Sequence, residues 1–506
     1  MRLKQPTFRR IFAAAAFLAW AGWTAWAQPW AQGPAPRPRI ITMDEVIRLA
    51  LTNDLDILIS QQTPLLDRLA LDGLSSAYDP VFSMVAQRRF NSQPAGIDPI
   101  TGLLESQKSS ITSYAPSLKG TLPTGTQYEL NLDVEHDLIA GLPHDAQYSG
   151  SAGASLTQPL LKNLWIDSPR WNIALARNTL KYDQLALRLQ IIATINAVKA
   201  AYYNLIYARE NVEVEVAAVK LAGQLVSENK KKVELGSLAP LDEKQAESQA
   251  ATTAADLLSA QQTLAVQENT LKSLMALNLS EWNGVTPVPA EQLVAVPEYP
   301  NVIECWQTAL AMRPDVAQAK VNLEKQHVTL KYDYNQLFPE LDLEGTYGHN
   351  GFGSSVDKDL GAIQRGGFKS YTYGVVLNVP LANTGARANY KSAKVTLQQL
   401  LLQLKKVENA VIVAVQNDVT IVQSDLLRID ATRKARAYAE DALTAEQTRL
   451  EHGKSTSFVV LQLQNNLTTA RSAEIRALAD YNIALEQLAY DEGITLERNS
   501  IRMNLP

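Results

Sequence analysis

The residue types that carry most enzyme chemistry are few in this chain and poorly spaced for it. Its five histidines, His136, His144, His327, His349 and His452, include no pair at a zinc-type spacing such as HExxH. The single cysteine, Cys305, can form no internal disulfide. It falls in an amphipathic helical pattern and reads as a small core residue. Gly351-Phe352-Gly353-Ser354-Ser355 has the glycines of a phosphate loop, but no lysine follows at the P-loop spacing, so it reads as a surface loop. Asp54 and Asp56 are a carboxylate pair without a histidine partner and read as solvated. The sequence offers no nucleophile, no metal set and no cofactor fingerprint. No catalytic, cofactor-binding or metal residue is therefore expected, and the chain does not read as an enzyme.

If the side chains do no chemistry, the elements that hold them must carry the function. The N-terminus is the first signal. Arg2, Lys4, Arg9 and Arg10 precede an apolar run, Ile11 to Trp23, and Ala25-Trp26-Ala27 has the small-x-small pattern of a signal peptidase site. This three-part anatomy predicts a secretory signal over residues 1–27 and a mature start at Gln28. Removing it takes away those four basic residues and no acidic one, and moves the net charge from -5 to -9. That balance argues against nucleic acid as a partner. No later run reaches the roughly 18 consecutive apolar residues of a transmembrane helix. An exported chain of this kind is periplasmic, secreted or a β-barrel in the outer membrane.

Residues 28–41 are proline-rich and read as a linker. From Thr42 the apolar spacing becomes helical, with Thr42 and Glu45 as a capping box, and one helix is expected to about Tyr78. Strands are expected over 80–158. In Gln127–Glu135, Tyr128, Leu130, Leu132 and Val134 alternate with polar residues, the pattern of a membrane strand facing lipid on one side and a wet lumen on the other. Ser168-Pro169 then starts a helix with no proline before Gly236. About 65 residues of helix would be about 100 Å long. A returning helix completes a hairpin over 168–279. Residues 280–300 read as a second linker.

The plan then repeats. Glu45, Leu51, Asp56 and Pro80 match Glu304, Leu310, Asp315 and Pro339 at a constant offset of 259. Arg170, Asn172, Leu180, Val198, Glu234 and Gly236 match Arg387, Asn389, Leu397, Val415, Glu451 and Gly453 at an offset of 217. Constant offsets over such stretches indicate an internal duplication. The difference places 42 extra residues among the strands of the first half. The expected organisation is a first repeat over 42–279 and a second over 301–495, with strands at 341–380, a helical hairpin at 387–491 and a tail at 496–506. In the second hairpin Leu397, Leu404 and Val411, with Leu400, Val407, Ala414 and Ile421, form a heptad seam that fades at Asp418 and Asp425.

Four to six strands per chain are too few to close a barrel, and open sheet edges cannot face lipid, because unpaired backbone groups cost several kcal/mol each there. A membrane reading therefore requires oligomers. The order helix, strands, long hairpin, linker, all given twice, resembles the TolC family of outer-membrane efflux proteins. The resemblance is carried by the strand exits Gln158-Pro159-Leu160-Leu161 and Val379-Pro380-Leu381, the glycine turns VELGSLAPLD and LEHGKSTSFV, and NTGARANY at 383–390. It covers about residues 40 to 495. It implies an α+β membrane protein: a trimeric β-barrel continued by a long antiparallel α-helical coiled-coil barrel, built from two internal structural repeats. It further implies a homotrimer in outer-membrane lipid that extends into the periplasm, with a periplasmic adaptor and an inner-membrane pump as partners. The implied function is the exit duct of a tripartite efflux or type I secretion system.

The glycine turns place adaptor-docking tips at Gly236, Ser237, Gly453, Lys454 and Ser455. Acidic residues that ring the periplasmic entrance in the protein giving the family its name fall here at Val459 and Gln462, with Asp242 as the match in the first repeat. These three are the candidate periplasmic constriction, and no strongly acidic ring is expected. The alternative is a periplasmic adaptor-like coiled-coil protein, but adaptors carry one hairpin and this chain carries two. An extracytoplasmic coiled-coil scaffold is a further alternative, against which the strands at 127–135 and 370–379 count.

Overall fold

The computed structural model describes residues 37–501, apart from 98–99, 101–103 and 140–145. The expected signal segment 1–27, the mature start at Gln28 and His144 lie outside the described residues. In chain order the elements are β1 (Arg37–Ile41), α1 (Met43–Asn53), α2 (Leu55–Leu74), a 3-10 turn (Ser75–Tyr78), β2 (Val81–Ile97), β3 (Leu104–Thr121), β4 (Gln127–Ile139) and β5 (Ala146–Pro159). There follow α3 (Ser168–Glu234), α4 (Pro240–Met275), a 3-10 turn (Leu279–Trp282), β6 (Val285–Pro289), α5 (Val302–Met312) and α6 (Pro314–Asn335). The chain ends with β7 (Glu340–Gly353), α7 (Val356–Arg365), β8 (Phe368–Asn378), α8 (Thr384–Glu451), α9 (Ser457–Glu492) and α10 (Thr495–Arg498). The long helices α3 and α8 have 67 and 68 residues, and α4 and α9 have 36 each.

Two compact units result. One holds residues 51–200, 295–438 and 476–506, and contains a six-stranded antiparallel sheet in the order β2-β3-β4-β5-β7-β8. Its helical core is drawn from α5, α6, α8 and α9, with Cys305, Ala309, Val316, Val411, Val415, Val422, Ile429, Tyr481 and Leu488 buried. The α8 seam does not fade. Val411, Val415, Asp418, Val422, Asp425 and Ile429 are all buried at alternating steps of four and three, while Ile421 is about half exposed. The two aspartates reach polar partners at these seam positions: Asp425 a cation, Asp418 the carboxyl of Asp491. Arg428 lies 3.4 Å from Asp425. Arg313 faces the pair Asp418 and Asp491, and forks onto Asp315 through contacts of 2.8 and 3.0 Å while also pairing with Asp491. Burial raises the Asp315 carboxyl, but the fork outweighs it and holds the group below its ordinary value. A buried ion pair from α3 to α9, Lys199–Glu486 at 2.8 Å, closes the other side.

An 18-residue window of α8 is apolar enough by composition to cross a membrane. In the fold, Val411, Val415, Val419 and Val422 of this helix are buried in the helical core, while Val413 is exposed.

The second unit holds residues up to 50, 201–294 and 439–475. Here β1 and β6 pair in parallel, from Arg37↔Val285 to Ile41↔Pro289. Both segments were expected to be linkers, because Pro38, Pro287 and Pro289 interrupt any strand pattern. A two-stranded sheet tolerates them, since each strand keeps an open edge on which proline needs no donor. Tyr202 pins the pair: its hydroxyl donates to the Ile41 carbonyl at 3.0 Å and accepts from the Ala290 N–H at 3.2 Å.

Four further expectations need correction. The first helix is two, because the Asp54 carboxylate accepts the Ile57 N–H at 2.9 Å and starts α2 as its N-cap. Thr42 caps α1 as expected, accepting the Glu45 N–H at 3.2 Å, but Glu45 itself turns to Arg39 and leaves the box half made. Gly351 to Gly353 end β7 rather than forming a loop, since three strand positions of β5 pair with them. The tail begins with α10, whose Leu496 is buried.

Candidate functional site

The sheet is the first candidate element. One rung crosses all six strands as Phe82, Leu118, Leu130, Ala154, Tyr347 and Tyr371, each paired with the next. The adjacent rung is Ser83, Ser117, Asn131, Gly153, Gly348 and Ser370. Because side chains alternate between faces, the first rung belongs to one face and the second to the other. Along this rung the apolar face is open, with Phe82, Leu130, Tyr347 and Tyr371 48–69% exposed, while α7 covers the same face farther along β5 and β7, at Gly150, Gly351 and Gly353. The other face carries Glu129, Asp133, Glu135, Asp342 and Glu344. Apolar on one side, polar and acidic on the other, is the chemistry of a barrel wall between lipid and water. The edges, β2 and β8, each have one strand neighbour only among the described residues.

The hairpin tips are the second element. Gly236 and Gly453 take φ of 73° and 67°. At the first tip, Gly236 N–H bonds the Val233 carbonyl at 3.0 Å and Ser237 N–H bonds the Lys232 carbonyl at 2.9 Å. At the second, Gly453 bonds Leu450 at 3.1 Å and Lys454 bonds Arg449 at 2.8 Å. Both are Schellman caps, which need a left-handed residue and favour glycine. A Cβ at either would meet no atom, so the requirement is conformational rather than steric.

The two hairpins are tied to each other near their tips, through a residue that is not among the expected ones. Asn229, fully buried, accepts from the Ser457 hydroxyl at 2.9 Å, and its amide lies 3.4 Å from the Asp242 carbonyl. This side chain on α3 therefore ties the start of α4 to the start of α9. Asp242 and Val459 are half-buried and Gln462 is exposed. Ser237 and Lys454 are exposed, while Ser455 is half-buried and donates to Glu446. Sequence reasoning missed the exposed apolar residues beside the glycines: Leu235 at 82%, Leu241 at 67% and Phe458 at 58%. The signal was available, since Leu241 and Phe458 stand at the same 217 offset as the glycines. Among the described residues no His/Cys/Asp/Glu group could hold a metal ion.

The comparisons with known proteins fit these elements. Residues 112–277 and 305–490 match the family described as outer membrane efflux protein. The chain is 23% identical over 342 residues to outer membrane efflux protein BepC of Brucella suis, covering 67% of this chain and 71% of that one. It is 21% identical over 308 residues to outer membrane protein TolC of Vibrio cholerae, covering 61% and 69%. The fold matches the Campylobacter jejuni CmeC outer membrane channel with a TM-score of 0.64 at 16% identity, over 91% of this chain and 90% of that one. Family and fold are those of channels and do not support the adaptor alternative. The two matched segments together span most of the chain, which therefore belongs to the outer membrane efflux protein family.

Proposed function

We propose that this outer-membrane efflux channel is the exit duct of a tripartite efflux or type I secretion assembly. It works as a homotrimer whose sheets close one β-barrel in outer-membrane lipid and whose hairpins continue as an antiparallel coiled-coil barrel into the periplasm. The observation that carries this reading is the pair of adjacent rungs, apolar from Phe82 to Tyr371 and polar from Ser83 to Ser370, on a sheet with two open edges. An apolar face this continuous needs lipid, and open edges in lipid need partners. A second copy of the chain supplies the partner strand.

The matched helix lengths, 67 with 68 and 36 with 36, support two repeats of one plan, over 42–279 and 301–495. Equal arms let six hairpins of a trimer end at one level. The tips at Gly236, Ser237, Gly453, Lys454 and Ser455 are then the docking face for a periplasmic adaptor, behind which stands an inner-membrane pump. Asp242, Val459 and Gln462 line the periplasmic constriction.

The mass of the detergent-solubilised complex tests the assembly. Three chains per particle are expected. A monomer in mild detergent that keeps its helical circular dichroism contradicts the trimer.

A further inference from the structure

The two runs of strands differ in number. Among the described residues there are four strands between the 3-10 turn at Ser75–Tyr78 and α3, and two between α6 and α8. The offset difference of 42 residues equals the length of 104–145, which is β3, its turn, β4 and the segment up to β5. The extra residues form a hairpin, and its position in the sheet is informative. Its strands lie in the middle, between β2 and β5, not at an edge or off the face. The apolar rung runs through them without a break, from Phe82 to Leu118 to Leu130 to Ala154. Their turn is fixed at the helix end of the sheet. Leu122 N–H bonds the Thr126 carbonyl at 2.7 Å, and the Thr126 hydroxyl donates to Gln158 on β5. A Cβ on Gly125 would come within 3.0 Å of the Arg170 guanidinium at the start of α3. The hairpin is therefore spliced into the wall over its full height.

We infer that this hairpin widens the pore: three chains close a barrel of 18 strands, where two strands per repeat would give 12. The inference rests on the trimeric channel reading. The occupant of each open edge is a second copy of this chain. The number of strands in the sheet is even and every neighbour is antiparallel, so β8 of one chain and β2 of the next run in opposite directions, as an antiparallel pair requires. With strands about 4.8 Å apart and tilted about 40°, 18 strands make a backbone cylinder about 36 Å across, against about 24 Å for 12. That is the strand number of an aqueous porin. The outer-membrane segment is then a wide vestibule, and the narrowest point of the conduit lies elsewhere. A pore of this width suits cargo with the cross-section of a polypeptide helix, about 10–12 Å, as readily as a small molecule.

Electron cryo-microscopy of the intact trimer in detergent tests this directly. The expected map has 18 strands and a backbone cylinder about 36 Å across. A trimer with a 12-stranded barrel and the 104–145 hairpin outside the wall overturns the inference and leaves the channel reading standing. A particle with no barrel sinks the channel reading itself. A cysteine pair adds a test in the membrane. Ser83 and Ser117 hydroxyls lie 2.7 Å apart across β2 and β3. In membrane-embedded Ser83→Cys/Ser117→Cys protein an intrachain disulfide is expected to form on mild oxidation, with the trimer retained. Free thiols after oxidation in an assembled trimer contradict a wall that contains the hairpin.

Discussion

Replacing Arg313 with methionine will cost about 3–5 kcal/mol of stability, the usual result of breaking a buried charge network on one side. Arg313 is the hub of that network. It pairs with Asp315 and Asp491 and faces Asp418, and its side chain is 14% exposed. Methionine matches the stem but leaves the carboxylates of Asp315 and Asp491 in a helical core without their cation, beside Asp418. The effect depends on pH. Burial first, and then the facing Asp491 carboxyl, push Asp418 up to about 8. Its folded value lies above the ordinary aspartate value of about 3.9. Its contribution to stability is therefore full below about pH 4 and is lost as pH rises through about 8. Two outcomes follow in thermal unfolding of the detergent complex. The Arg313→Met deficit deepens from pH 6 to pH 9, and Asp418→Asn, which cannot ionise, unfolds at a higher temperature than the parent above pH 8. A flat pH profile in the parent would contradict the buried-pair account.

The larger functional effect is expected at the tips. Charged residues placed on the exposed apolar pair, Leu241→Asp with Phe458→Asp, will abolish efflux while the trimer still assembles. These side chains are 67% and 58% exposed, so their loss removes little packing within the chain. A desolvated contact with a partner is a different matter, because a buried unpaired carboxylate there opposes docking. Ser237→Trp with Lys454→Glu tests the same face by bulk and charge, and both positions are exposed. In a strain whose own channel gene is deleted, these variants should leave susceptibility to exported compounds at the level of the deletion. Cysteines at Ser237 and Lys454 should crosslink to the cognate adaptor. Normal efflux with all four substitutions in place would end the docking proposal, though not the membership of the family.

The long helices were legible because their signals are local. Pro169 starts one, Gly236 stops it, and no proline lies between, only the isolated Gly223 that a helix tolerates. The same holds for the alternation in Gln127–Glu135. What was hidden depended on pairing across the sequence. The β1–β6 ladder joins positions 248 residues apart, and its prolines argue against strands when each segment is read alone. Asp418 and Asp425 looked like the end of a seam, since an aspartate on an apolar stripe is unfavourable until its arginine is known. Arg313 stands more than a hundred residues earlier. For the tips, the sequence pointed to the turns through glycine, but it did not separate exposed Leu241 and Phe458 from core residues, because an apolar residue near a helix start reads as packing.

Planar bilayer recording on the detergent-purified protein tests the central claim most directly. Protein recovered from the outer-membrane fraction should insert and give discrete, stable conductance steps, one per trimer. The same full-length protein released by urea or carbonate, giving no steps at any concentration, would contradict the account of a lipid-embedded channel.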